Sequence, residues 1–252
     1  TTDVVVNYIN QHTHNRPFMT DRLINNFTGM ISTFDNPDWY ADRYQTSLGY
    51  KYVTGTNQSL TPGENLIHNG YKVDVLDYYW NTRAKTSDEY SNRLIGSFTN
   101  TYQITDDLSV RARFSADVTS ARFEDRSPNR FPLLYGFDTE SGFTTKNQNQ
   151  NIYYTDLLAS YKKQINKDIK LGAAVGYTAT KNQDFSVSGW TNGGLSQRNW
   201  YDLSASVNDS RSSQARVWSL RDATFGTLNF SFKDYWYVEE TLRRELISQM
   251  HP

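Results

Sequence analysis

The chain has no cysteine among its 252 residues. That excludes disulfides, thiol nucleophiles and cysteine-based zinc sites, while leaving the cellular compartment open. It also has no apolar run approaching the 18 or so residues that a transmembrane helix needs. Barrels escape that exclusion, because a barrel strand crosses with only about 9–11 residues in alternation. Neither sign of charge is in excess: 26 basic and 27 acidic side chains leave a formal net charge of -1. No electrostatic case for nucleic acid follows. Apolar residues are scarce, at 37% even with tyrosine counted, and the mean hydropathy is -0.73. A soluble domain of this length buries about 70% or more of its unfolded surface, which demands a larger apolar supply.

Catalytic signatures are missing as well. No Gly-x-Ser-x-Gly elbow, Walker loop or dinucleotide fingerprint appears. Glu239 and Glu240 are adjacent, so on a strand they point to opposite faces and cannot flank one glycosidic bond. The sequence predicts no catalytic residue, no cofactor and no enzyme. His12-Thr13-His14 could put two imidazoles on one strand face, but without a nearby third ligand it reads as a solvated loop. Asp35, Asp38 and Asp42 lack the glycine and terminal glutamate of a calcium loop. No metal site is predicted.

What the chain does have is rings: 18 Tyr, 13 Phe and 6 Trp make up 15% of it. It also has alternation. Leu108, Val110, Ala112, Phe114, Ala116 and Val118 fall on one face of a strand, and Ser109, Arg111, Arg113, Ser115, Asp117 and Thr119 fall on the other. Asn92–Ile104 precedes this strand across the turn Thr105–Asp107. A second hairpin runs from Asn151–Gln164 into Ile169–Thr180, and a third joins its strands at Lys233-Asp234.

The opposite connections, Ala121–Gln150 and Lys181–Thr224, read as long polar loops, and Asn10–Ser91 shows few strands. Structureless connections of that length are uncommon in compact domains. Short turns alternating with long loops suit an outer-membrane barrel. Tyr102, Tyr161, Phe232, Tyr235, Trp236 and Tyr237 lie close to the short turns, where an interfacial girdle belongs. In that arrangement Arg111, Arg113 and Asp117 would face a wet lumen. The competing reading is a soluble or surface-attached β-sandwich that binds carbohydrate, whose strands alternate for packing alone.

Residues Phe225–Glu245, FGTLNFSFKDYWYVEETLRRE, also resemble a barrel hairpin of the SusC/RagA-like TonB-dependent transporters of Bacteroidetes. Gly226, Leu228, Asn229, Phe230, Lys233, Asp234, Leu242, Arg243 and Arg244 carry the likeness. Ser91–Asp117 is similar to another hairpin of that family, and RYQTSLGYKY and LTPGEN fit it more loosely. The resemblance implies an all-β fold, an antiparallel transmembrane segment of a barrel of about 22 strands with long extracellular loops. It implies outer-membrane import of oligosaccharides or peptides, with a SusD-like surface lipoprotein as lid and TonB acting through a plug. The family's signal, TonB box and plug are not visible. Residues 1–252 are therefore expected to be a partial barrel region, completed by further barrel polypeptide and surrounded by outer-membrane lipid.

Ligand contact is expected from loop rings set among planar polar side chains, since ring faces stack on ligands while amides and guanidinium groups orient them. The candidates are Trp39, Tyr79, Trp80, Tyr135, Trp190 and Trp200, with Arg111, Arg113 and Asp117 on the lumen wall. The alternative for each ring is packing of loop against loop or against the lipoprotein.

Overall fold

The computed structural model describes residues 1–15, 37–51 and 73–250. Seven strands run through them: β1 (Thr2–His14), β2 (Thr86–Gln103), β3 (Leu108–Ser127), β4 (Gly142–Gln164), β5 (Ile169–Leu195), β6 (Ser206–Phe232) and β7 (Trp236–Met250). They form one sheet in sequence order, each strand antiparallel to the one before. Two short helices, α1 (Pro37–Ala41) and α2 (Val73–Tyr79), lie in the connection between β1 and β2, and α2 runs into a π-helical turn (Trp80–Ala84). None of the described helices is long and apolar enough to cross a membrane.

Register converts alternation along one strand into faces across the whole sheet. Val4 sits opposite Phe98, Phe98 opposite Phe114, and Ala112 opposite Leu157. Leu157 is opposite Tyr177, Val175 opposite Gly226, and Gly226 opposite Leu242. The face so formed is apolar from β1 to β7, and it is open: Phe114 is 50% exposed and Val175 62%. Glu240 and Arg244 interrupt it on β7, Asp222 on β6 and Lys181 on β5, and nothing in the structure explains them. The other parity carries Arg93, Arg111, Arg113, Asp117, Asp156 and Asp184. A sandwich would cover the apolar face with a second sheet, and the described strands supply none.

Short turns gather at one end of the sheet, at 104–107, 165–168 and 233–235. They are stitched to their neighbours: the Lys162 amide donates to the Asp107 carbonyl (2.8 Å) and the Lys233 amide to the Asp168 carbonyl (2.6 Å). Lys163 pairs with Asp107 at 3.0 Å and Lys170 with Asp234 at 2.6 Å. Lys233 and Asp234 both take positive φ, 52° and 53°, the backbone of a type I′ turn. The sequence expectation for this hairpin holds.

The expected long loops are mostly strand. β3 continues to Ser127 and β4 begins at Gly142; β5 runs to Leu195 and β6 begins at Ser206. The actual connections are 128–141 and 196–205, while that between β1 and β2 stays long. Beyond the apolar band the strands carry polar residues on both faces, for example Asn147, Gln148, Asn149 and Gln150 on β4. Backbone pairing holds such a strand without any apolar alternation to betray it. Asn192-Gly193-Gly194 forms an irregularity inside β5 where the register to β6 shifts. Gly194 has φ +97°, and a Cβ there would meet the Asp138 carbonyl oxygen at 2.2 Å, so only glycine fits.

The turn makes a simple test. Lys233→Val should destabilise the protein by about 1–2 kcal/mol, because a β-branched residue resists positive φ. Lys233→Asn should be neutral or stabilising. Urea unfolding in detergent micelles checks both; equal midpoints for the two variants would contradict the turn geometry.

Candidate functional site

The polar face brings three of the expected residues onto one wall. Arg111 donates to Asp156 through Nη2, at 3.3 Å to Oδ1 and 3.2 Å to Oδ2, and the Tyr154 hydroxyl donates to Asp156 Oδ2 at 3.2 Å. Arg113 stands directly opposite Asp156, yet its Nε donates to Thr99 Oγ1 at 3.3 Å. Asp117 accepts from Arg93 in a two-pronged pair, with Nε to Oδ1 at 2.8 Å. Both ion pairs run diagonally between neighbouring strands, a reach that long side chains manage easily. Asp156 is buried, and the buried Arg111 Nε has no acceptor among the described residues. Higher up the wall, Gln148 Nε2 donates to Asp184 Oδ2 at 2.9 Å.

At the long-loop end, connections 128–141 and 196–205 fold onto each other and onto residues 44–51. Asn129 and Asn199 exchange amide-to-side-chain hydrogen bonds, each 3.0 Å. Ser141 Oγ donates to the Asp138 carbonyl (2.7 Å) and accepts from the Leu195 amide (3.0 Å) and Asn129 Nδ2 (3.2 Å). Arg130 grips Asp138 through its backbone amide (2.6 Å), Nε (2.9 Å) and Nη2 (2.7 Å), and reaches Glu140 at 2.7 Å. The Lys51 amide donates to the Arg130 carbonyl at 3.0 Å, and Arg198 donates to the Leu48 carbonyl at 2.6 Å while lying over the Tyr50 ring. Phe143, Leu195 and Ala205 form a small apolar core beneath, packed by Tyr201 and Leu203. Burial pushes the Tyr201 hydroxyl pKa up, and donors from Ser204 hold the Asp202 carboxyl below its usual value.

The candidate rings are dispersed rather than gathered. Trp39 on α1 is half-buried beneath the Arg43 guanidinium, and Tyr79 at the end of α2 lies beneath that of Arg83. Trp80 is only 2% exposed, so it offers no face to a ligand in this conformation. Trp190, expected in a loop, is half-buried on β5 between Thr144 and Arg211. Tyr135, in a 3-10 turn (Leu133–Tyr135), and Trp200 are exposed in the loop connections, as are Leu134 and Phe137. Asp35 and the stretch 60–65 lie outside the described residues.

The two histidines correct an expectation. His12 and His14 stand on β1, not in a loop, and both bind Asp88 of β2, through Nε2 at 3.0 Å and Nδ1 at 2.7 Å. Arg126 of β3 occupies the other carboxylate oxygen. His12 also stacks on Tyr90, whose ring lies within cation–π reach of Arg122. Among the described residues no group of three or more His, Asp or Glu is placed to hold a metal.

Sequence reasoning missed Arg93, Asp156, Arg130 and Asp138. The wall partners lie far apart in the chain, and only register reveals them. Arg130 and Asp138 had a weak signal, an opposite-charge pair bracketing a short apolar run.

Asp138→Ala tests the loop network. Asp138 is 0% exposed, and breaking a buried ion pair costs about 3 kcal/mol or more. Limited trypsin digestion should cut several-fold faster at Arg130 and Arg198; unchanged cleavage would mean the loops hold without this pair.

No family model matches the chain, and no curated protein matches it. Among solved structures, the fold is similar to one described as the RagAB peptide transporter, with TM-score 0.54 and 15% identity over 68% of this chain and 19% of that one. It is also similar to the RagAB peptide importer in its "open-open" state, with TM-score 0.51 and 17% identity over 68% of this chain and 19% of that one. The chain thus spans about a fifth of the length of those it matches, and the likeness is one of fold: the seven-stranded sheet is a β-barrel segment.

Proposed function

We propose that this chain forms part of the wall and loops of a SusC/RagA-like, TonB-dependent importer in the bacterial outer membrane, carrying oligosaccharides or peptides. The observation that carries this reading is the two-sidedness of the sheet. Its apolar face is open from β1 to β7, while the opposite face holds hydrogen-bonded charges. Lipid on one side and a wet lumen on the other satisfy both faces at once.

Dimensions agree. From Leu108 to Val118 the β3 stripe climbs roughly 23 Å, given about 3.3 Å per residue and a tilt near 45°. The apolar band of outer-membrane barrels is about 25 Å tall. Tyr235, Trp236 and Tyr237 are exposed at the short-turn end, where aromatic side chains anchor at a membrane interface.

The neighbouring structures are described as peptide transporters, which favours import as the role. In this reading Arg111, Arg113 and Asp117 line the path. The hydrogen-bonded loops stand at the outer mouth, and exposed Leu134, Tyr135, Phe137 and Trp200 meet the ligand or a SusD-like lipoprotein lid. TonB would act through a plug carried outside these residues.

Two experiments test the reading. Deleting the gene should lower uptake of at least one class of oligopeptide or oligosaccharide tenfold or more, and the intact gene should restore it. Normal growth of the deletion strain on every candidate glycan and peptide would contradict import. Separately, Leu157→Arg should destabilise the membrane-extracted protein by about 2–4 kcal/mol, the cost of a lipid-facing arginine near mid-bilayer. A cost under about 0.5 kcal/mol would place Leu157 in water instead.

A further inference from the structure

The polar face holds a hollow of about 320 Å³ across β1–β4, separate from the Arg111–Asp156 pair. The Arg93–Asp117 ion pair lies in its lining, with Gln11 and Ser91 toward β1 and β2 and Thr119 and Gln150 toward β3 and β4. Ile9 and Ile152 complete the lining and place aliphatic surface beside the ion pair. We infer that this hollow is a subsite for an extended peptide segment. The inference rests on the importer reading and narrows its substrate class.

Two features favour peptide over sugar, the missing ring and the aliphatic surface, and two more match the polar groups of a peptide as well as those of a sugar. No aromatic ring lines the hollow, whereas sugars are commonly held by stacking on ring faces. Gln11 and Gln150 each present a donor and an acceptor, the same pair of groups that every peptide unit of an extended chain offers sideways. The ion pair is internally neutral, so it does not select a charged ligand. Its guanidinium nevertheless keeps N–H groups for a peptide carbonyl, and its carboxylate keeps lone pairs for a peptide N–H. Lastly, Ile9 and Ile152 provide apolar surface for an aliphatic side chain, which a sugar hydroxyl would meet at a loss.

The hollow is near the lower limit for ligand pockets, so it would grip a few residues of a longer chain. A weak grip of this kind is what a transport path needs, because the ligand must leave as well as enter.

The test uses the protein purified in detergent, with two probes: Ala-Leu-Ala blocked at both termini, and maltotriose. Isothermal titration measures each against the unmodified protein, the double variant Gln11→Ala/Gln150→Ala, and Thr119→Val as a milder change of near-equal volume. Unchanged circular dichroism and heat-modifiable migration establish folding. Tripeptide affinity should fall about tenfold in the double variant, from two hydrogen bonds, and about two- to fivefold in Thr119→Val. Maltotriose should show no change between proteins. Unchanged tripeptide affinity in both variants, or maltotriose binding that weakens in step with the substitutions, would overturn the inference. Uptake assays separate the two levels. Peptide or glycan uptake that survives with unaltered tripeptide affinity removes the subsite and keeps the importer, whereas absence of any uptake defect on gene deletion removes the importer.

Discussion

Every strand of this sheet satisfies its backbone only sideways, through the ladder to its neighbours, and the rest of the structure depends on that. Lateral pairing fixes register, and register decides which side chains share a face. A slip of one residue on β3 would send Phe114 to the polar face and Arg113 to the apolar one. The two faces therefore enforce the register as strongly as the backbone does. β1 and β7 each pair on one side only among the described residues. Long edges of that kind bind further strands, and in a closed barrel they would find them.

The same geometry explains how charge is managed. Arginine and carboxylate groups on the wall pair across strands, Arg93 with Asp117 and Arg111 with Asp156, so the polar face carries charges without a strong net field. At the loop end, the tight packing that a one-layer sheet lacks is concentrated in a small region. Phe143, Leu195 and Ala205 are buried there, and Asn129, Asp138 and Ser141 are buried polar groups with their hydrogen bonds made. Those hydrogen bonds tie the two connections to each other and to the end of the sheet.

Much of the fold was legible in the sequence wherever one face is apolar. The stripe Leu108–Val118, the hairpins on either side of it and the turn at Lys233-Asp234 stand where periodicity places them. Legibility stopped where both faces turn polar. Thr144–Gln150 and Asn208–Ser213 read as loop because period two leaves no trace when every side chain is hydrophilic, yet both are strand. Asp156 was hidden for a different reason: it lies 45 residues from Arg111, and only pairing of β3 with β4 joins them. Burial of Trp80 depends on packing within a long connection, about which composition says nothing.

The most direct measurement of the central claim exploits the absence of native cysteine. Single cysteines placed in turn at positions 108–119 of β3, each spin-labelled in lipid vesicles, report accessibility to oxygen, which concentrates in lipid, and to a polar nickel chelate, which stays in water. The account predicts strict alternation, with even positions from 108 to 118 exposed to oxygen and odd positions exposed to the chelate. Equal chelate access at both parities would contradict a wall between lipid and a wet lumen.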